Sequence, residues 1–167
     1  MIILEGIDGV GKTTISKLFE ENGYNIHHLK YDEKNEDGFI SLLNQDDGKL
    51  VLDRGFVTEL VYGPILRDFS RINKEQEKNL INLYSNARTI IIYLKAAKKD
   101  LLERRKDNEE DYNLIMDYYE RLNDSYNSIM KYISEYITTY TIDTSEVNLD
   151  NTKKFVKQLI RSEYSEK

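Results

Sequence analysis

Apolar residues fall into two rhythms along the chain. Short unbroken runs occur in "MIILE" (1–5), "KLVLDR" (49–54) and "RTIIIYLKA" (88–96), and they predict strands buried on both faces. "YNIHHLKY" (24–31) predicts a second strand of mixed polarity, and "YITTYTID" (136–143) a fifth. Between these runs, apolar positions recur every three or four residues, the spacing of one helix face. Ile15, Leu18 and Phe19 mark a first helix, with Gly23 where a C-cap belongs. "FISLLNQ" (39–45) predicts a short helix ended by "DDG". The stretch from Phe56 to Phe69 predicts another, which Gly63-Pro64 must kink or split. Asn73 and Gln76 resemble a capping pair opening a helix that carries Leu80, Ile81, Leu83 and Tyr84. "AKKDLLERRKDNEED" (97–111) predicts a helix running into a charged turn. From Asp111 to Ser134, the residues Leu114, Ile115, Tyr118, Leu122, Tyr126, Ile129 and Ile133 mark one face of a long helix. Phe155, Val156, Leu159 and Ile160 form the stripe of a last helix, with 161–167 expected to fray.

Strands alternate with helices throughout. That alternation predicts an α/β fold whose parallel sheet is covered on both faces. No internal repeat or low-complexity linker interrupts it, and 167 residues predict a single domain spanning 1–167.

Composition narrows the function. A net charge of −6 argues against a nucleic-acid polymer as partner, because such sites usually carry a basic surface. The chain has no cysteine, which removes disulfides, thiolate catalysis and cysteine-ligated zinc. No apolar run approaches 18 residues, so no membrane span is expected. "MIILEGID" meets Gly and Asp too early for a signal peptide, and a cytoplasmic protein is expected.

The densest chemistry lies in "LEGIDGVGKTT" (4–14). Gly6, Gly11, Lys12 and Thr13 fit G-x-x-x-x-G-K-[ST], between a predicted strand and a predicted helix. Four intervening residues let the loop wrap a phosphate with successive N–H groups pointing inward. Glycine permits close backbone approach, and the following helix adds its positive end. Lys12 is expected to bridge β- and γ-phosphates and Thr13 to hold Mg²⁺, with Asp8, Gly9, Val10 and Thr14 completing the cradle. The plainer alternative is a Gly-rich structural turn. The fold type hosts many reactions, so the loop alone does not name one.

A GTP switch would need a base-reading N-K-x-D. The only candidate, "NKEQ" (73–76), has Gln where Asp is required and precedes a helix. A kinase fits better. "LEGIDGVGKTT" closely resembles the P-loop of thymidylate kinases. "LVLDRGFVTELVY" (50–62) resembles that family's D-R-[YF] segment, with Thr58 as the small hydroxyl residue that follows. "LLERRKDNEED" (101–111) falls where the family has its lid, and "YTIDTSEV" (140–147) resembles the last strand and the loop bordering adenine. The resemblance implies a P-loop kinase with strand order 2-3-1-4-5. It implies ATP and Mg²⁺ as cofactors and a deoxynucleoside monophosphate as acceptor. It also implies a lid at about 100–111, a transition-state arginine from Arg104 or Arg105, Asp8 on the deoxyribose 3′-hydroxyl, and a homodimer.

The residues support similar roles. Asp53 and Arg54 leave the C-terminal end of a central strand, where ligands bind in open parallel sheets. Asp53 can orient the acceptor or a magnesium-bound water, and Arg54 can grip a phosphate with two donors. A salt-bridged strand end is the alternative. Asp8 could equally stabilise its own loop, and Arg104 and Arg105 could be a solvated helix end. Arg67 could face acceptor phosphate, and Glu5 could brace the loop or assist Mg²⁺.

The resemblance breaks between the second and third strands. Only seventeen residues intervene there, and they contain no Arg and no Pro. The acceptor base must therefore be held differently, with Phe39, Phe56, Tyr62 or Tyr84 as stacking candidates or simply core. His27 and His28 are expected to be an ordinary core and surface pair. Two other readings remain: a kinase of free deoxynucleosides, and an ATP-binding module that works through a partner.

Overall fold

The computed structural model describes residues 1–146 and 148–165. Five strands form one sheet: β1 (Ile2–Glu5), β2 (Asn25–His28), β3 (Leu50–Asp53), β4 (Ile90–Lys95) and β5 (Thr138–Asp143). All neighbours run parallel in the order β2-β3-β1-β4-β5, and helices cover both sides, as the sequence predicts. β1 is buried at every position and β4 at its four central ones, which is why these runs carry no alternation. The edge strand β2 has mixed burial, matching its mixed sequence.

The helices are α1 (Lys12–Glu20), α2 (Glu36–Asn44), α3 (Phe56–Arg67), α4 (Lys74–Asn86), α5 (Lys98–Arg105), α6 (Glu109–Ile133) and α7 (Leu149–Ser165). Four expectations change. Gly63-Pro64 does not split α3, which runs on to Arg67 and ends at Asp68 in the left-handed region. The predicted helix over 97–111 is two helices. Asn108 separates them by accepting the Asp111 amide at 3.1 Å and capping α6. α2 starts three residues early, because Asn35 caps it through the Gly38 amide at 2.9 Å. α7 stays helical to Ser165, past the point where fraying was expected; 166 and 167 lie outside the described residues.

The core on one flank is aromatic. Phe39 and Phe56 meet edge to face at 6.3 Å, and Phe56 packs on Tyr84 at 5.3 Å. The Tyr84 hydroxyl donates to the Phe39 carbonyl at 2.8 Å, so its polar end is satisfied inside. All three rings are fully buried, which removes them as stacking surfaces for a base. Tyr126 of α6 lies between Tyr62 of α3 and Tyr93 of β4, stacked on Tyr93 with 5.6 Å between centroids. Among the described residues, no helix is long and apolar enough to cross a membrane.

Candidate active site

Three strand ends and three helix ends meet at one edge of the sheet. There a cavity of about 470 Å³ is lined by the 8–14 loop, Asp53, Arg54, Arg104, Arg105 and Thr144. The loop follows β1 directly. A side chain on Gly6 would overlap the Leu94 carbonyl of β4, and φ of 139° there is open only to glycine. Gly11 caps α1 at φ 99° with no side-chain hydrogen bond. Helix geometry therefore leaves the Lys12 and Thr13 amides at the start of α1 to whatever fills the cavity, while the Thr14 amide donates to the Gly11 carbonyl at 3.0 Å.

Lys12 is buried and turned back onto its own loop. Its Nζ donates to the carbonyls of Gly6 (2.7 Å) and Ile7 (3.0 Å), which leaves one of three donors. Burial and then the charge of Arg54 lower its pKa to about 8, against the pull of Asp8, Asp53 and Glu5. A charge held at such a cost is one that an anion would restore.

Asp8 pairs with Arg54, whose Nη2 donates to Oδ1, and it accepts from the Tyr62 hydroxyl at 3.1 Å. Burial works to raise the Asp8 pKa, but Arg54, Lys12 and Tyr62 together bring it below the ordinary value. The same pairing raises Arg54 further against its own burial. Asp8 is thus neither wholly a loop brace nor free: it cross-links the cradle to the Asp53–Arg54 turn.

That turn is strained and held from below. Arg54 has φ 78°, rare for a side chain of its size. Glu5, fully buried at the end of β1, accepts from the Gly55 amide (2.9 Å), the Thr58 amide (3.3 Å) and the Thr58 hydroxyl (2.6 Å). The Thr58 and Tyr126 hydroxyls lie 3.0 Å apart and extend this network to α6. A side chain on Gly55 would press into Ile3 Cγ2 at 2.6 Å. Glu5 therefore braces the turn that carries Arg54. Burial also raises its pKa, with Thr58 and Gly55 opposing.

Arg104 reaches across the cavity mouth. Nη1 donates to the Gly9 carbonyl (3.1 Å) and the Thr144 hydroxyl (2.9 Å), and Nη2 to the Thr144 carbonyl (2.8 Å). Arg105 packs by Gly9 and stands 3.5 Å from Asp111 as an ion pair rather than a hydrogen bond. The 100–111 segment is helix, turn and helix rather than loose coil.

Asp53 and Thr13 suit a hard cation. One Asp53 oxygen, Oδ1, is buried without a partner, and Thr13 is exposed on the same cavity. Among the described residues, no cluster of three or more His, Asp or Glu could hold a metal alone. A cation with few protein ligands that completes its shell with phosphate and water fits this donor set.

A second set of residues lies beyond Arg54, and sequence reasoning saw only Arg67 of it. Arg67 pairs with Glu59, which also accepts the Arg71 amide at 2.9 Å. Arg71 lies 3.9 Å from the Tyr31 ring and donates to the Tyr31 carbonyl at 2.9 Å. Lys34 has its pKa lowered by partial burial first and then by Arg54, with Arg67 and Arg71 adding and Glu59 opposing. Arg67 is thus not in the phosphate cavity, and its Nε is buried without a partner. The exposed rings here are Tyr31 (71 %) and Phe69 (57 %), neither of which the apolar pattern singled out. His28 was also missed. Instead of forming a core and surface pair, His27 is half-buried against Glu33 at 2.8 Å, and His28 is exposed against Asp53 at 3.0 Å. His28 and Asp53 end adjacent strands of the sheet, a pairing hidden in the sequence because the predicted second strand ran on to Tyr31.

No family model matches the sequence, and a comparison with curated proteins finds no match. Solved structures do match over nearly the whole chain. The YorR protein of Bacillus subtilis, solved with phosphorylated GDP, has a TM-score of 0.81 at 24 % identity, covering 98 % of this chain and 97 % of that one. Deoxyadenosine kinase from M. mycoides, with bound dCTP, has a TM-score of 0.65 at 21 % identity, covering 97 % and 100 %. Thymidylate kinase from Candida albicans has a TM-score of 0.68 at 15 % identity, covering 99 % and 92 %. The fold is that of the P-loop kinases. Within that P-loop kinase fold the 6–13 motif occupies the turn between first strand and first helix, as the sequence reading required.

Proposed function

We propose that this chain transfers the γ-phosphoryl group of ATP, bound with Mg²⁺, to a deoxynucleoside monophosphate. One observation carries the acceptor assignment. The charges of Arg54, Arg67 and Arg71 all act on Lys34, opposed by Glu59, which pairs with Arg67, while Asp8 pairs with Arg54. Clustered cations repel one another, and they are tolerated where an anion joins them. A free nucleoside brings no such charge; a monophosphate does. Lys12 and the α1 amides would hold the donor phosphates. Thr13 and Asp53 would hold the metal, which disperses charge on the moving group. Arg104 or Arg105 would neutralise that group in flight.

A free-nucleoside acceptor is the second reading. In its favour, Arg54 is already satisfied by Asp8, and a deoxyadenosine kinase shares the fold. A coupled ADP-release assay over the common nucleosides and monophosphates, with ATP and GTP compared as donors, separates the two. Arg54→Ala should lower kcat/KM for monophosphates by about 100-fold, the scale of a lost charge-assisted phosphate contact. Unchanged turnover in that variant, with nucleosides as the active substrates, overturns the monophosphate assignment. Silence across the whole panel, with ATP still bound, favours a binding module.

A further inference from the structure

We propose that His28 is a positioning residue for Asp53, fixing which carboxylate oxygen faces the phosphate cavity; this rests on the reading of Asp53 as a metal-binding group. The geometry begins with register. β2 and β3 are parallel, and His28 pairs with Asp53 at their C-terminal ends. Residues so paired point to the same face of a sheet. The His28 ring therefore stands beside the carboxylate, with Nδ1 3.0 Å from Oδ2. An ionised carboxylate only accepts, so Nδ1 carries the proton and Nε2 is left to solvent.

The two oxygens of Asp53 then differ. Oδ2 is held by His28. Oδ1 is buried and has no partner. Lys12 and Arg54 both feel the Asp53 charge, so the carboxylate sits within the cationic floor of the site. A buried carboxylate oxygen without a donor is costly, and a cation or a metal-bound water would relieve that cost. Without His28, the carboxylate is free to rotate about its last side-chain bond and turn either oxygen toward solvent or Arg54. His28 removes that freedom before ligand arrives, as hydrogen bonds to ligating groups do in metal sites.

The exposures assign the roles. His28 is 70 % exposed and Asp53 13 %. An exposed ring contributes little packing, so removing it disturbs orientation more than fold.

The test compares wild type, His28→Ala, His28→Asn and Asp53→Ala. The asparagine amide can stand near the Nδ1 position and donate to Oδ2. Titration of Mn²⁺ into the ATP complex, followed by electron paramagnetic resonance, reads metal affinity without turnover; calorimetry with ATP and EDTA reads metal-free nucleotide affinity. His28→Ala should weaken Mn²⁺ by about three- to tenfold, the lower part of the range for outer hydrogen-bond partners of a metal site. Metal-free ATP affinity should not move, and kcat should fall at limiting but not at saturating Mg²⁺. His28→Asn should recover to within about twofold. Wild-type Mn²⁺ affinity in His28→Ala, or equal losses in both His28 variants, overturns the proposal. If Asp53→Ala weakens Mn²⁺ while His28→Ala does not, only the role of His28 fails. If Asp53→Ala leaves Mn²⁺ unchanged, the metal assignment fails and takes this proposal with it.

Discussion

Lys12 shows how much one side chain can record of the anion its loop is proposed to hold. Its ammonium is buried against two carbonyls, and burial with Arg54 brings its pKa to about 8. Polyphosphate would restore the ordinary value near 10.5, so binding at pH 8 should draw in about half a proton per nucleotide. At pH 6.5 the ammonium is already protonated and uptake should vanish. Calorimetry in buffers of different ionisation enthalpy reads that number directly, and a zero slope at pH 8 would refute the contact. The same depression has a stability sign. Between pH 8 and 10.5 the unfolded lysine binds more protons than the folded one, so the ligand-free protein should gain stability as pH rises through that window. The cradle residues were legible because their chemistry depends on a fixed spacing, which a sequence displays. Glu5 was legible only as a choice between two roles, and its bonds to Gly55 and Thr58 show the brace. Lys34, Arg71 and His28 were not legible as site residues: each reaches its place through a partner 20 to 40 positions away, such as Arg71 over Tyr31 and His28 on Asp53.

Elements were easier to read than their ends. The three apolar runs became β1, β3 and β4, because strands buried on both faces need no alternation. The division between α5 and α6 was lost inside a charged stretch with no Gly or Pro. Its signal was Asn108 followed by three acidic residues, a cap and a dipole match together. The start of α4 was read correctly, and it offers a clean test. Asn73 Oδ1 accepts the amides of Glu75 and Gln76 at 3.0 Å each, and Gln76 returns a bond to the Asn73 amide at 2.9 Å. Asn73→Ala should cost about 1 kcal/mol in urea unfolding. Turnover should be unchanged, since α4 lends no residue to the phosphate cavity. Pro64 teaches the opposite lesson. Its rule forecasts a kinked or split helix, and α3 runs through it unsplit to Arg67, with Val57, Leu60 and Val61 packed inside.

Across the whole molecule, net charge and local charge point in opposite directions. The chain carries −6, yet its phosphate cavity and the region beyond Arg54 are lined with lysine and arginine. Composition argued against a polymer partner but did not reveal the concentrated field that suits a small anion. The alternation of elements predicted a parallel sheet, and the strand order came from the family resemblance. Ligand should therefore stabilise the fold as a unit. At a hundred times its dissociation constant, ATP with Mg²⁺ should add about 2.7 kcal/mol, which for this length raises Tm by roughly 5 to 10 °C. Lys12→Ala should abolish that shift in a thermal melt; an equal shift in both proteins would place the nucleotide elsewhere.

The three bonds of Arg104 carry a kinetic consequence. This guanidinium ties the Gly9 carbonyl to Thr144 and so latches two walls of the cavity together. Any nucleotide that needs the arginine on its phosphates must first undo that latch, and every product that leaves allows it to snap shut again. The speed of the cycle would then belong as much to the unfastening of one side chain as to the bond being broken.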